Sequence, residues 1–138
     1  MVTFTEEEVQ QKYTQFRLIQ EQLEQLSQQA EMLNQQNAEL EISKNALVEL
    51  EKTKLDTEVL AQIANGVFVR TKLEDNQKVI INIGANTTAE RSVPEVIALL
   101  EEQKKEMTLQ VIEAEAVMQE LQSQAQRIYT EIKDVQQA

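Results

Sequence analysis

An unbroken 4,3 spacing runs through the C-terminal part of this chain: Val93, Ile97, Leu100, Lys104, Met107, Val111, Ala114, Met118, Leu121, Ala125, Ile128, Ile132 and Val135. A period of 3.5 residues draws one narrow stripe along a helix, and such a stripe needs a second helix to cover it. The N-terminal part supplies that helix. Val9, Phe16, Leu23 and Ala30 occupy one core position, continued by Asn37 and Lys44, while Ile19, Leu26, Leu33, Leu40 and Leu47 occupy the other. Two helices of similar length joined by a shorter connection return alongside each other. The expectation is a long antiparallel two-helix coiled coil of roughly 65–75 Å at about 1.5 Å per residue.

Breakers are scarce, with Gly 2 and Pro 1 in 138 residues, and the single proline lies where a helix begins. Ser92-Val93-Pro94-Glu95 has the S-x-x-E form of a capping box, with Pro where no amide bond is lost. Asn37 in the seam reads as a polar residue that specifies register, and Lys104 as a side chain whose ammonium snorkels to water.

Between the helices the pattern changes. IANGVFVRTKLEDNQKVIINIGANTTAERS is rich in β-branched residues and alternates apolar with polar. Four strands are expected, at 58–63, 67–73, 78–83 and 87–91, with turns at Asn65-Gly66, Glu74-Asp75-Asn76 and Gly84-Ala85-Asn86. A three-residue loop at Ala64-Asn65-Gly66, with Gly left-handed, keeps the faces consistent by setting Ile63 opposite Val67 and Ala61 opposite Val69. Val59, Ile63, Val67, Val69, Leu73, Val79, Ile81 and Ile83 then share one parity, with Leu60, Phe68 and Ile80 as exceptions on the other.

Two hairpins cannot bury such a face alone, and free strand edges invite pairing. The insert therefore reads as an assembly element completing a sheet or barrel with hairpins of other chains; a β cap packed on its own coiled coil is the alternative. The whole is expected to be a single domain over 1–138, mainly α with a β insert: helix 5–56, two hairpins 57–91, helix 92–137.

Composition narrows the function. The formal charge is −11, and the 13 basic residues form no stripe, which argues against nucleic acid and anionic membrane surfaces. Cys and His are both absent, removing disulfides, zinc ligation, thiol nucleophiles and imidazole acid–base chemistry. No apolar run approaches a membrane span, and MVTFTEEEVQQK lacks a signal pattern. A cytoplasmic, non-enzymatic protein with no cofactor and no metal is the expectation.

Helix, two hairpins, helix, with EVLAQIANGVFVRTKL and KVIINIGANTTAERSVPEVIALL at the centre, closely resembles the alpha class of prefoldin subunits over essentially the whole chain. The second hairpin, KVIINIGANTTAERS, decides the class, since beta-class subunits are expected to carry one hairpin. The short tails lean towards the archaeal form. The resemblance implies a hetero-hexamer of two alpha and four beta subunits, with the hairpins forming an intersubunit β-barrel from which the coiled coils hang. It implies an ATP-independent holdase that binds non-native proteins at the coiled-coil tips and delivers them to a group II chaperonin.

The residues locate a matching site. Val2, Phe4, Val9, Tyr13, Phe16, Leu18 and Ile19 on the first helix, and Ile128, Tyr129, Ile132 and Val135 on the second, gather most of the aromatics at one end. Tyr13, Leu18 and Tyr129 fall off the seam, so this end offers an apolar patch to unfolded clients; ordinary packing at the end of a seam is the plainer reading. Glu6, Glu7 and Glu8 read as a solvated helix start favoured by the dipole. The oligomerisation set is Val59, Ile63, Val67, Phe68, Val69, Leu73, Val79, Ile80, Ile81 and Ile83. Two rival functions stay open: a self-assembling scaffold or filament protein, and a tether that binds one folded partner.

Overall fold

The computed structural model describes residues 4–136, so Val2 and position 137 lie outside the described residues. The order of elements is α1 (Glu6–Lys52), β1 (Glu58–Ala64), β2 (Val67–Lys72), β3 (Lys78–Gly84), β4 (Thr87–Ser92) and α2 (Val93–Gln136). By packing, the chain divides into two units, Met1–Asn37 with Glu106–Ala138, and Ala38–Lys105.

Local chemistry sets the helix ends. Thr5 caps α1 through a reciprocal box: Glu8 N donates to Thr5 Oγ1 at 3.2 Å, and Thr5 N donates to Glu8 Oε2 at 3.1 Å. At the other end α1 stops at Lys52 rather than running to 56. Thr53 N turns back to Leu50 O at 3.1 Å, and the Thr53 hydroxyl donates to Glu49 O at 2.8 Å. Asn76 Nδ2 donates to Thr53 O at 2.9 Å, and Asp56 adopts φ 66°. The carbonyls that would have continued the helix are thus satisfied partly by a residue from the loop between the hairpins. For α2, the Ser92 half of the expected box forms, Glu95 N donating to Ser92 Oγ at 3.3 Å, while Val93 N donates to Gln77 O at 2.9 Å.

In the unit holding both outer helix segments, Ile19, Ala30, Val111, Ala114, Ala125 and Ile132 are buried and the other apolar seam positions half-buried. This is the expected burial for a two-helix seam, where each side chain has a neighbour on one side only. Lys12 pairs with Glu131, and Asn37 Nδ2 donates to Thr108 Oγ1 at 3.1 Å. Numbers rise on one helix as they fall on its mate, so the pairing is antiparallel. The Asn37 Oδ1 atom is buried with no hydrogen-bond partner among the described residues.

In the other unit the helix segments are again antiparallel, with Glu41 paired to Lys104 and Lys44 Nζ 3.3 Å from Glu101 Oε1. Both seam lysines are therefore neutralised across the interface. The Lys104 ammonium is held by Glu41 where the sequence suggested simple snorkelling. That hydrogen bond, with the charges of Lys104 and Lys44, lowers the Glu41 carboxyl below its ordinary 4.5 against the opposing effect of desolvation. Val93 is fully buried, and Val96, which lies off the 4,3 spacing, is buried too.

Each hairpin is its own two-stranded antiparallel sheet. In the first, Ala61 faces Val69 as expected, but the last rung sets Ala64, not Ile63, opposite Val67. Asn65-Gly66 closes a two-residue turn with Gly66 at φ 77°, and the extra residue is absorbed as an irregularity at Ile63. The second hairpin repeats the device. Gly84 at φ 115° belongs to the strand and faces Thr87, Ile83 takes up the irregularity, and Ala85-Asn86 form the turn with φ 47° and 61°. Positive φ at both central residues is the primed-turn geometry that matches strand twist. Asn82 Oδ1 supports it by accepting from Gly84 N at 2.9 Å.

Candidate functional site

Exposed apolar side chains are scattered along both helices, at Met32, Ile42, Leu109 and Ile112 among others, and two further sets lie on surfaces of distinct kinds. On the hairpins, Val59, Leu73, Val79 and Ile81 are half-buried, whereas Ile63, Val67, Val69 and Ile83 are exposed. The three parity exceptions are exposed as well, Ile80 at 74%, Leu60 at 66% and Phe68 at 54%. Leu60 faces Arg70 and Gln62 faces Phe68, so Leu60 and Phe68 are diagonal neighbours on one face. With two strands per sheet, every strand also has a free edge among the described residues. Arg70 Nε lies 3.6 Å from Glu58 Oε1 on the face that carries Leu60, an exposed pair of little energetic weight.

The second surface lies where α1 begins and α2 ends. Phe16 and Tyr129 stand with ring centroids 6.2 Å apart, tilted by 38°. They form the floor of an open groove of about 510 Å³ together with Leu23 and Ala125, walled by Gln20, Gln122 and Gln126. A second groove, of about 490 Å³, is lined by Leu18, Ile19 and Ile128 with Gln15, Gln22, Gln124, Arg127 and Glu131. Tyr13, Leu18 and Tyr129 are about half exposed.

The remaining expected residues divide. Val9, Phe16, Ile128 and Val135 are half-buried, whereas Ile19 and Ile132, at 9% and 5% exposure, belong to the seam itself. Phe4 is half-buried beneath the Lys12 ammonium, 4.5 Å from its ring centroid, and Lys12 also pairs with Glu131. This ties the entry of α1 to α2. The glutamine walls were not anticipated. The sequence signal was present as a Gln-rich composition, but composition does not say which amides border an apolar floor.

Among the described residues no group of acidic side chains could hold a metal ion, and no helix is long and apolar enough to cross a membrane.

The element order, the 4,3 seam and the paired hairpins can be set beside known proteins. Residues 19–138 match the family model described as Prefoldin subunit. The chain belongs to the prefoldin family. Its curated relatives are prefoldin alpha subunits, in agreement with the class suggested by the second hairpin. The subunit of Nitrosopumilus maritimus is 30% identical over 132 residues, covering 86% of this chain and 91% of the relative. That of Archaeoglobus fulgidus is 29% identical, covering 96% and 97%, and that of Pyrococcus horikoshii 28%, covering 88% and 83%. Among solved structures, filamentous PFD from Methanocaldococcus jannaschii superposes with a TM-score of 0.76 at 24% identity, covering 86% of this prefoldin chain and 98% of that one. That likeness shows the prefoldin fold.

Proposed function

We propose that this prefoldin chain is the alpha-type subunit of an ATP-independent holdase in the cytoplasm, assembled as two alpha and four beta subunits. Its hairpins complete an intersubunit β-barrel with those of the partners. The end of the coiled coil bearing Tyr13, Leu18 and Tyr129 holds non-native proteins, which pass to a group II chaperonin. The reading is supported by two separate exposed apolar surfaces of different kinds. One consists of strand edges and faces, fit for a regular partner; the other is a pair of open grooves on helices, fit for irregular ones. Burying the area that Leu60, Phe68 and Ile80 still expose would contribute about 1–2 kcal/mol each, which favours pairing of the hairpins with a partner surface.

The test is a triple variant, Tyr13→Ser, Leu18→Ser and Tyr129→Ser, in chain mixed with a beta-class subunit. Native mass spectrometry should return the same hexamer mass, and suppression of client aggregation should fall. Unchanged suppression by a correctly assembled variant places the client elsewhere. The seam residues Ile19 and Ile132 are left intact because replacing them would disturb the coiled coil itself. A self-assembling scaffold is the second reading, favoured by the likeness to a filamentous prefoldin. It predicts a ladder of masses from this chain alone and indifference to the beta subunit.

A further inference from the structure

The two grooves differ from a plain apolar patch in what stands around them. Each has three glutamines at its margin, and the groove floored by Phe16 and Tyr129 has no charged residue in its lining at all. Among the described residues none of these six carboxamides is engaged in a hydrogen bond. A carboxamide carries an acceptor oxygen and a two-hydrogen donor on one neutral group, the same pair of functions as a peptide unit.

We propose that the groove floored by Phe16 and Tyr129 recognises the main chain of an extended, non-acidic polypeptide segment: apolar side chains enter the floor, and the carboxamides of Gln20, Gln122 and Gln126 pair with the backbone N–H and C=O groups beside them. The inference rests on the client-binding reading and specifies its chemistry. Gln122 and Gln126 stand four residues apart on α2, about 6 Å along the axis at 1.5 Å per residue. An extended chain repeats its side-chain orientation every two residues, about 6.6–6.8 Å. A strand-like segment lying along α2 therefore meets Gln122 and Gln126 with successive equivalent peptide units while every second side chain faces Phe16 and Tyr129.

The occupant follows from what the margin satisfies. A folded helix has used its backbone groups internally and leaves the amides nothing to pair with. A non-native extended segment carries those groups free, and entering a bare apolar groove would cost it the water bound to them. A neutral margin that can donate or accept removes that cost without selecting sequence. The chain's formal charge of −11 opposes acidic segments.

The test uses the full-length chain in its assembly and the variant Gln20→Met, Gln122→Met, Gln126→Met. Met keeps the length and helix propensity of Gln and adds apolar surface, so simple hydrophobic capture would be maintained or strengthened. The probe is a short fluorescent peptide of alternating Leu and Ser, followed by anisotropy, beside the same peptide N-methylated at alternate backbone positions. The expected result is about tenfold weaker binding of the plain peptide by the Met variant, a loss of one or two hydrogen bonds. The methylated peptide should bind weakly to the parent protein and lose little more on the variant. Equal or tighter binding of the plain peptide by the Met variant overturns the inference. So does a parent protein that holds a denatured client through Leu18 and Tyr129 yet discriminates neither peptide. If client capture also survives Leu18→Ser with Tyr129→Ser, the client-binding reading itself fails.

Discussion

Replacing Asn37 with Leu should make the coiled coil more stable, and the structure says by how much. Asn37 sits at a seam position, half-buried, with its Nδ2 donating to Thr108 Oγ1 at 3.1 Å and its Oδ1 buried without a partner. A buried acceptor left unpaired costs about 1–3 kcal/mol, whereas the single bond it accompanies is worth about 1 kcal/mol net. Leu removes both and adds about 1 kcal/mol from partial apolar burial. The net gain is about 1–3 kcal/mol, or roughly 3–10 °C in melting temperature for a chain of this size. The measurement is thermal unfolding followed by far-ultraviolet circular dichroism at one fixed protein concentration, since assembly makes melting concentration-dependent. Thr108→Val, made in both backgrounds, completes a cycle in which the coupling should be about 0.5–1.5 kcal/mol. A lower melting temperature for Asn37→Leu would refute the reasoning, because it would mean that Oδ1 is satisfied in solution and the polar layer is a net stabiliser. A higher melting temperature with mixed helix registers would identify what the asparagine supplies in exchange for its cost.

Two further outcomes follow from single residues. Ala85 is held at φ 47°, a region that costs a non-Gly residue about 1–2 kcal/mol, so Ala85→Gly should stabilise the second hairpin by about 0.5–1 kcal/mol after the added unfolded-state entropy. Slower hydrogen exchange at Ile81 and Ala89 would register it; faster exchange would contradict it. Because the Glu41 carboxyl is depressed in the folded chain, its contribution is present above the unfolded value and is lost as pH falls through the lower, folded value. Lys104→Met should therefore return the Glu41 titration midpoint towards 4.5, read by carbon-13 NMR, and an unmoved midpoint would assign the depression to another cause.

Much of the candidate site could be read from spacing. Tyr13, Leu18 and Tyr129 were separable from the seam because heptad position alone decides which side chains the partner helix can reach. Ile19 and Ile132 sit on that seam, and their low exposure follows from the same rule. The glutamine margins were not legible, because a groove is the space between two helices and its walls come from both. Gln20 and Gln122 are far apart in sequence and become neighbours of one floor only through the antiparallel pairing. The hairpin register was legible along the strand bodies and misread at the turns. Parity constrains which face a residue takes, but not where an extra residue is absorbed.

What the sequence determined by itself was everything periodic: two helices, their seam, two hairpins between them and the faces each presents. Those features depend on repeat lengths that backbone geometry imposes on any chain, and no distant partner is needed to establish them. What only the tertiary structure decided was where periodicity meets its neighbours. Beyond Lys52, where α1 ends, Asn76 comes in to pair with Thr53, and the lowered Glu41 carboxyl depends on Lys104 arriving from α2. Each is a pairing of polar groups brought together from separate parts of the chain. A hydrogen bond or ion pair of that kind depends on distances of a few ångströms, and only the folded chain sets them.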